Sequence, residues 1–319
     1  SHGAIKTLLI AVEQQAEKQN FKFSGMRKAR SSDKYDWKFI KDITTGKPLN
    51  FDDYLLYAGT SWFFVDPRMN KTLDYLFIDE AGQVTLGTTI ANATAAKNLV
   101  LIGDQMQLSQ PMRAKHEGYA KLSSLDFVLE NNDTIPPDKG IFLNITRRLN
   151  KKICNYISTS FYDSRLTSDP ITETRSVNLK LDPIKDEGLF YVPIEHSGCS
   201  QRSDEEADLI EKTYNRIIKK EFKVGKKLGK ISSKDIMVVA PYNAQANNIR
   251  ERLKKKNDDV RVGTIDLFQG QEAKVVLISM TTSDVESLPR HKDFFFSRNR
   301  LNVAISRAEC VAIIIFNEN

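Results

Sequence analysis

The sequence predicts an α/β protein with parallel β-sheets, and two features of its hydrophobic pattern indicate this fold class. Five apolar, β-branched runs have the length of strands, and they are continuous rather than alternating, which is typical of parallel strands buried on both faces. Segments with apolar residues at helical spacing separate these runs, as in repeated βαβ units. The five predicted strands are Leu73–Ile78, Asn98–Ile102, Ile236–Ala240, Lys274–Ser279 and Cys310–Phe316.

Three segments are predicted to be helices from their spacing and their ends. Ile5–Lys18 places apolar residues at helical intervals, and Asn243–Lys256 is amphipathic with a strongly basic end. Ser203–Lys220 begins with Ser203 and Glu206 at the spacing of a capping box, in which each side chain accepts the backbone N–H of the other residue.

Two regions depart from this alternation. Ser109–Gly140 is predicted to be irregular, because pairs of asparagines and prolines interrupt any periodicity. We therefore predict two domains, residues 1–142 and residues 143–319. Between Lys219 and Lys234 lie seven lysines with intervening glycines and serines, and this segment is predicted to be a solvated loop.

The composition limits the class of protein. A chain of 319 residues is long enough for two domains, and 40% hydrophobic with 28% charged residues is the balance of a globular protein with a core. No apolar run reaches the roughly 20 residues of a membrane span. The three cysteines form no CxxC pair, which argues against a zinc finger and a disulfide framework and favours a reducing, cytoplasmic compartment. A net charge of +6 permits a polyanionic partner.

The sharpest local feature is a pair of acids at the end of the first predicted strand. Asp79 and Glu80 follow Leu73–Ile78 directly, and open α/β sheets bind ligands at the carboxyl ends of their strands. One carboxylate can hold a hydrated Mg²⁺ on nucleotide phosphates, and the other can orient and activate an attacking water. The alternative is that the two acids only begin a loop.

A second polar turn follows the next predicted strand. Gly103 and Asp104 come directly after Asn98–Ile102, and Gln107 lies three residues further on. Glycine allows a tight turn. A glutamine amide both donates and accepts hydrogen bonds, which suits it to a γ-phosphate or to the attacking water.

Three later segments carry arginines and glycine turns: Leu143–Asn150, Val262–Glu272 and Asn299–Ala308. A planar guanidinium neutralises the charge that develops on a phosphoryl group during its transfer. Any one of these arginines alone would be an ordinary surface residue, so the functional inference depends on the ordered set.

Taken in order, these segments resemble the motifs of superfamily 1 helicases, specifically the group that includes the nonsense-decay helicase and the Dna-two-like helicases. Asp79–Gln83 is similar to motif II, Gly103–Leu108 to motif III, and Thr146–Arg148 lies at motif IV. The other matches are Ala240–Gln245 at a recurrent turn of the family, Thr264–Glu272 at motif V, Arg307 at motif VI, Tyr57–Ser61 at a nucleic-acid-contacting segment and Ser1–Ile5 at the end of motif Ia.

The resemblance implies two RecA-like lobes of the P-loop NTPase fold, the first incomplete, with ATP between them. It assigns Mg²⁺ binding to Asp79, the catalytic base to Glu80, coupling to the γ-phosphate to Gln107, and phosphate-neutralising fingers to Arg148 and Arg307. It also places these residues near the nucleotide: Gln83, Gly103, Asp104, Arg147, Gly270 and Glu272. Single-stranded nucleic acid, with DNA favoured over RNA and movement 5′ to 3′, would contact Thr60, Ser61, Tyr242 and Thr264.

This sequence departs from the family pattern at two points. Where the family has Tyr-Arg at motif IV, Arg147 and Arg148 stand here, so an arginine plane rather than a tyrosine ring would stack on the base. No GxxxxGK[ST] phosphate loop occurs in the sequence. Since the family's loop precedes motif Ia, we expect it upstream of Ser1, in a longer helicase of which this chain alone neither hydrolyses ATP nor binds it tightly.

Two further segments, Thr134–Gly140 and Glu195–Glu206, resemble bacterial proteins that fuse such a helicase to a RecB-like nuclease. That resemblance implies an N-terminal nuclease domain in the parent chain and a role in DNA repair. Two alternatives to a motor remain open: a nucleic-acid-binding module without catalysis, and a regulatory domain that binds a protein partner. A phosphate loop encoded upstream of Ser1 would favour the motor.

Overall fold

A computed structural model describes residues 2–44, 54–108, 117–130, 132–255, 259–283 and 297–318. The chain folds into two compact units. Unit 1 comprises Ser1–Asp104 and Gln110–Phe127, and unit 2 comprises Gln105–Ser109 and Val128–Asn319. The chain thus enters unit 2 directly after Asp104, returns to unit 1, and crosses finally after Phe127. The domain boundary predicted after residue 142 falls inside unit 2.

Unit 1 consists of short parallel strands with helices between them. Its helices are α1 (His2–Lys18), α2 (Ser61–Phe64), α3 (Leu86–Ala93) and α4 (Ser124–Leu129), the last of which runs into unit 2. Its strands are β1 (Gly25–Lys28), β2 (Ile40–Ile43), β3 (Leu56–Ala58), β4 (Leu73–Ile78) and β5 (Ala96–Leu101). Strand β1 lies between β2 and β3, parallel to both, and β4 pairs with β5 in parallel.

One apolar cluster joins the two sheets of unit 1. It includes Met26 of β1, Phe63 and Phe64 of α2 and Leu76 of β4. The opposite face of the β4–β5 sheet is open in the described part of the chain, since Tyr75 and Phe77 are 59% and 62% exposed. The prediction that these continuous apolar strands are covered on both faces is therefore wrong for β4. Side chains alternate between the faces of a strand, so Leu76 enters the core while its two neighbours do not.

Unit 2 is built on a five-stranded parallel sheet in the order β13-β12-β14-β15-β9. These strands are β9 (Gly188–Pro193), β12 (Ile236–Val239), β13 (Arg261–Gly263), β14 (Ala273–Ser279) and β15 (Ala308–Phe316). The α-helices among the described residues of unit 2 are α5 (Lys151–Phe161), α6 (Asp204–Ile217), α7 (Asn243–Lys254) and α8 (Arg298–Ser306). Short strands lie outside this sheet: β6 (Ile145–Thr146), β7 (Thr167–Ser168), β8 (Ser176–Val177), β10 (Glu221–Val224) and β11 (Lys227–Lys230).

Helices cover both faces of the unit 2 sheet. Alternate residues of β12, β14 and β15 contribute to two separate apolar clusters, one with α5 and α8 and the other with α6 and α7. Val275, Val276 and Leu277 in the middle of β14 are fully buried. The continuous apolar runs of these three strands thus have the double-sided burial that their pattern predicts. The chain is an α/β protein with parallel sheets, as its sequence predicts.

Three local predictions need correction. The segment from Lys219 to Lys234 is not a loop, because β10 and β11 form an antiparallel hairpin that turns at Gly225, whose φ is 60°. The region predicted as irregular contains α4, although residues 109–116 and 131 lie outside the described residues. Ser203 caps α6 by accepting the N–H of Glu206, but the Glu206 side chain does not return to Ser203, whose N–H is bonded by Gln245 Oε1 instead.

Two further points concern the helices: the position of the predicted motif Ia, and whether any described helix could cross a membrane. The segment matched to motif Ia forms the first turn of α1 from His2 onward, and Ser1 lies outside the described residues. Among the described helices, none combines the length and the apolar character that crossing a bilayer requires.

Candidate nucleotide and nucleic-acid sites

In unit 1 the two acids predicted as catalytic lie in a strained turn at the end of β4. Glu80 adopts a left-handed backbone with φ of 55°, which is uncommon for a residue with a side chain. Asp79 Oδ1 accepts the Glu80 N–H at 2.9 Å, and Gln83 Nε2 donates to Glu80 Oε2 at 3.2 Å. The Asp79 side chain is exposed at the carboxyl end of the strand. Both carboxylates are therefore held in a fixed turn with oxygens near solvent.

The turn after β5 packs closely against this acidic turn. The Ala81 N–H donates to the Ile102 carbonyl at 2.9 Å, and a Cβ at Gly103 would lie 2.8 Å from the Ala81 nitrogen. Ser124 of α4 donates from its hydroxyl to the Ala81 carbonyl at 2.9 Å. Unit 1 thus brings Gly103 and the adjacent Asp104 to the same strand ends as Asp79 and Glu80. Only glycine permits this approach at position 103.

Gln107 is held with unit 2 rather than with this turn. Asn299 Nδ2 donates to the carbonyls of Gln105 and Gln107, each at 2.7 Å, and Asn302 Nδ2 donates to the Met106 carbonyl at 2.8 Å. Two asparagines of α8 therefore fix the backbone that carries Gln107. The sequence interpretation gave Asn299 and Asn302 no role, although their spacing of three residues places them on one face of a helix.

At the amino ends of its central strands, unit 2 brings three of the predicted nucleotide residues together. Gln271 and Glu272 directly precede β14, and Arg307 directly precedes β15. Arg148 donates from Nε to Glu272 Oε2 at 2.9 Å and from Nη1 to the Ser306 carbonyl at 3.4 Å. Arg307 is buried and donates from Nη1 to the Gln271 carbonyl at 3.3 Å.

Two other predicted residues lie at the rim of this group. Arg147 is 86% exposed, with its Nε 3.6 Å from Asp169 Oδ2, so its guanidinium plane faces solvent. Gly270 adopts φ of 74°, which lets the chain turn directly before Gln271 and Glu272. In the structure Glu272 is the ion-pair partner of Arg148, whereas the resemblance places it near the nucleotide.

The predicted nucleic-acid residues of unit 2 lie at the opposite, carboxyl edge of the same sheet, after its strands β12 and β13. Tyr242 follows β12 and begins α7, and Thr264 follows β13. The Tyr242 hydroxyl oxygen is buried, and burial raises the pKa of this phenol. Only the partly exposed ring of Tyr242 faces outward, so a contact through its hydroxyl is not supported. The unit 2 sheet therefore separates the two predicted groups, with Arg148, Glu272 and Arg307 at one edge and Thr264 at the other.

A similar glycine–threonine turn occurs in each unit. Thr60 lies two residues after β3 and Thr264 directly follows β13, and their backbone angles φ and ψ are −77° and 166° for Thr60 and −78° and 161° for Thr264. Each threonine precedes a short helix that its side chain does not cap. A Cβ at Gly59 would lie 2.9 Å from Phe63, and one at Gly263 would lie 2.5 Å from Leu267. Within the described residues, neither threonine hydroxyl makes a hydrogen bond, nor does the Ser61 hydroxyl.

A buried polar cluster at the carboxyl edge of unit 2 was not anticipated from the sequence. Glu206 is fully buried in α6 and accepts hydrogen bonds from the Ser279 hydroxyl and, at 2.9 Å, from the Thr281 N–H. Its Oε1 lies 3.1 Å from His196 Nε2, and His196 Nδ1 lies 2.8 Å from the Ser283 hydroxyl. Thr281 is held with φ of 73°, a strained angle for a β-branched residue. The available sequence signal was the position of Glu206 on the apolar face of α6, four residues before Ile210.

The chain is similar in sequence to a family profile and to curated helicases. A family profile described as an AAA domain matches residues 121–319. The chain is 30% identical over 298 residues to the DNA polymerase alpha-associated DNA helicase A of Schizosaccharomyces pombe, covering 90% of this chain and 42% of that protein. It is 29% identical over 260 residues to an uncharacterized ATP-dependent helicase of Methanocaldococcus jannaschii, covering 77% of this chain and 36% of that protein.

Two further proteins are similar to this chain in sequence or in structure. Helicase sen1 of Schizosaccharomyces pombe is 29% identical over 257 residues, covering 76% of this chain and 14% of that protein. An arterivirus nonstructural protein 10, a helicase solved in complex with DNA, aligns with a TM-score of 0.49 and 13% identity, covering 99% of this chain and 52% of the other. The chain spans less than half the length of each of these three curated relatives.

The match to the AAA-domain family covers more than half of the chain, and its curated relatives are helicases. The chain therefore belongs to the AAA-domain family, within the superfamily 1 group of helicases.

Proposed function

We propose that this chain is the core of an ATP-dependent helicase or translocase that couples ATP hydrolysis to 5′-to-3′ movement on single-stranded nucleic acid, with DNA favoured over RNA. The observation that carries the proposal is the division of the unit 2 sheet. Phosphate-seeking arginines lie at its amino edge, and an uncapped glycine–threonine turn lies at its carboxyl edge. A sheet with two such edges suits a protein that binds a nucleotide and a nucleic acid at the same time.

Hydrolysis would use the acidic turn of unit 1. Bound Mg-ATP supplies the γ-phosphate that is transferred to water. The Asp79 carboxylate would hold the metal, since Mg²⁺ takes one or two carboxylates together with phosphates and water. The described residues contain no group of three or more ligating side chains that would form a protein cage, which fits a metal shared with phosphates. Glu80, oriented by Gln83, would take the proton of the attacking water.

The remaining nucleotide roles rest on the resemblance together with local geometry. Arg148 and Arg307 would neutralise charge on the transferred phosphoryl group. Because Arg148 is paired with Glu272 in this structure, it would have to exchange that carboxylate for a phosphate. Gln107, on a backbone fixed by two asparagines, would respond to the γ-phosphate. Arg147, exposed at the rim, would stack on the base.

Nucleic-acid binding would use the two matching turns. Thr60 and Thr264 each present a hydroxyl that no described residue engages, in the same backbone conformation, and such hydroxyls commonly bind phosphate oxygens. Ser61 offers a second hydroxyl beside Thr60. Each turn would therefore bind a phosphate of a single strand.

We also propose that the phosphate loop belongs to a longer protein that contains this chain, with a nuclease domain on its N-terminal side. The open face of β4 supports a further covering segment, because exposed Tyr75 and Phe77 are apolar surface that a packed sheet would bury. On this proposal the chain alone neither hydrolyses ATP nor binds it tightly. The free state of all three cysteines supports a reducing, cytoplasmic location.

The experiment that tests this function is the Glu80→Gln variant of the longer protein, measured for nucleic-acid-stimulated ATP hydrolysis. The amide keeps the volume and loses the base, so turnover should fall by roughly two to four orders of magnitude while ATP binding persists. Glu117→Gln, an exposed glutamate of unit 1, is the matched control and should leave turnover unchanged. ATP hydrolysis that is unaffected by Glu80→Gln would refute the assignment and favour a non-catalytic nucleic-acid-binding module.

A further inference from the structure

Trp62 is the feature of unit 1 that neither the core nor the proposed hydrolysis explains. Its side chain is 86% exposed, whereas the other tryptophan, Trp37, is half-buried with the Arg27 guanidinium 5.3 Å from its ring centre. Tryptophan is the largest apolar side chain and is strongly buried on average in folded proteins. A fully presented indole is therefore a candidate for binding something outside the unit.

The backbone that carries Trp62 is rigid. The next two residues of α2, Phe63 and Phe64, are both buried, with ring centres 5.0 Å apart in an edge-on arrangement. The preceding turn is equally tight, because a Cβ at Gly59 would lie 2.9 Å from the Phe63 ring. The indole thus projects from a fixed support, and little conformational entropy would be lost when a ligand covers it.

The surroundings of Trp62 match a phosphate backbone. The register pairs Arg27 of β1 with Ala58 of β3, so Lys28 and Gly59 leave the sheet side by side. Lys28 lies close enough to Asp66 to add to the effect of Arg68, which holds the pKa of that carboxyl at about 2. Arg30, two residues beyond Lys28, is exposed and forms no ion pair with any described residue.

We propose that Trp62 is a stacking platform for one unpaired base of a single-stranded nucleic acid whose phosphates contact the adjacent Thr60 and Ser61. This inference deepens the proposed function and rests on it. An aromatic ring beside hydroxyls and cations provides one surface for the base and another for its phosphate. Stacking of this kind tolerates any sequence, because every base has a π-face. A protein partner that covers the same ring is the alternative outcome of the test.

The test measures the affinity of the chain for two labelled oligonucleotides by fluorescence anisotropy: a normal single strand and the same strand with abasic sites. Stacking contributes about 1–3 kcal/mol per base, so Trp62→Ala should weaken binding of the normal strand by roughly 5- to 150-fold. Trp62→Phe, which keeps a ring, should retain most of the affinity. For the abasic strand, the wild type and Trp62→Ala should bind equally.

The control is Tyr119→Ala, which removes another exposed ring of unit 1 and should leave both affinities unchanged. Intrinsic fluorescence gives an independent readout, since the chain has only two tryptophans. Binding of the normal strand should quench the emission of Trp62, and the quenching should disappear in Trp62→Phe, where only Trp37 remains.

The outcomes separate the inference from the function on which it rests. Trp62→Ala could bind the normal strand as tightly as the wild type does, or it could lose the same amount of affinity for the normal and the abasic strand. Either result overturns the stacking role and leaves the proposed function intact. A wild-type chain that binds neither strand at low salt overturns nucleic-acid binding, and the stacking role with it. Full affinity of Trp62→Ala for both strands would overturn the stacking role and leave a protein partner as the occupant of this ring.

Discussion

Single residues in this molecule acquire their roles from backbone geometry as much as from their chemical type. Thr60 and Thr264 share one pair of backbone angles, and each follows a glycine whose missing Cβ makes room for the fourth residue after it. Most threonines at a helix start cap it with their hydroxyl, and neither of these does. Their hydroxyls therefore make no cap hydrogen bond, which is consistent with the proposed contact to phosphate.

This geometry predicts the effect of removing either hydroxyl. Thr60→Val and Thr264→Val keep the shape and lose one hydrogen bond each, so each should weaken single-strand binding by about 3- to 10-fold. Thr94→Val, at the exposed end of α3, is the matched control. Anisotropy titrations at fixed low salt provide the measurement. Two variants that bind as tightly as the wild type would contradict a phosphate contact at these turns.

The three cysteines should differ sharply in reactivity. Burial raises the pKa of Cys310 to about 12 and also raises that of Cys154, whereas Cys199 is only half-buried. Because the thiolate is the reactive form, a higher pKa lowers the reactive fraction at a given pH, for Cys310 by roughly a thousandfold. We expect iodoacetamide at pH 8 to modify Cys199 first, as read by mass spectrometry. Early modification of Cys310 in the folded chain would show that β15 opens readily.

At the scale of elements, the polar cluster around Glu206 connects α6 to the segment that leaves β14. The carboxylate satisfies the N–H of Thr281 in its left-handed conformation and a hydroxyl of the strand end, and His196 completes the cluster. Strained backbone persists only where its surroundings fix it. We therefore expect Glu206 to set the course of the chain at the carboxyl edge of unit 2.

Two substitutions test this role by denaturant unfolding. Glu206→Gln should cost about 1–3 kcal/mol, because an amide cannot accept all the hydrogen bonds of a buried carboxylate. Adding Thr281→Gly should reduce that cost, since glycine adopts a φ of 73° without strain. Glu205→Gln, an exposed neighbour on the same helix, should change stability by less than about 0.5 kcal/mol. Strictly additive effects of Glu206→Gln and Thr281→Gly would argue against the coupling.

Elements with a strong local signal were predictable from the sequence, and the others were not. The bounds of β4 agree with Leu73–Ile78, and those of β12, β14 and β15 differ from the prediction by one or two residues, because long apolar runs dominate their surroundings. Strands β1, β2 and β3 are only three or four residues long and carry too few apolar side chains for a periodicity.

Long-range partners were beyond the reach of the sequence for a different reason. In the sequence, Glu206 has the spacing of a capping-box residue. In the structure, its carboxylate accepts hydrogen bonds from Ser279 and Thr281, more than 70 positions away. The lysine-rich composition of the β10–β11 hairpin favoured a loop in the sequence analysis. The partial burial of Phe222 and Val224, at alternate positions, is nevertheless the pattern of a half-buried strand. The candidate site residues themselves came from the motif order, and their catalytic and binding roles remain predictions.

For the whole molecule, the two units differ in how completely their sheets are covered. The five-stranded sheet of unit 2 is buried on both faces, with α5 and α8 on one and α6 and α7 on the other, whereas β4 in unit 1 exposes two aromatic rings. Local stability follows the number of buried apolar contacts around an element. Unit 1 should therefore open more readily than unit 2.

Native-state hydrogen exchange tests this difference within a single sample. Amides of β12, β14 and β15 should exchange slowest, with protection close to that of global unfolding, and amides of β4 and β5 should exchange faster. Mass spectrometry of peptides from the two units gives the comparison. Equal protection of β4 and β14 would show that the open face carries no penalty in this chain.

The arrangement of unit 2 has a mechanical consequence. Strand β14 begins beside Glu272 and ends at Ser279, a span of about 20 Å for its seven residues. A strand that is hydrogen-bonded on both sides and packed on both faces resists stretching and compression, since protein interiors are as dense as organic crystals. If Arg307 and Glu272 respond to a nucleotide as proposed, this rigid sheet would carry their displacement from its amino edge to its carboxyl edge without a hinge.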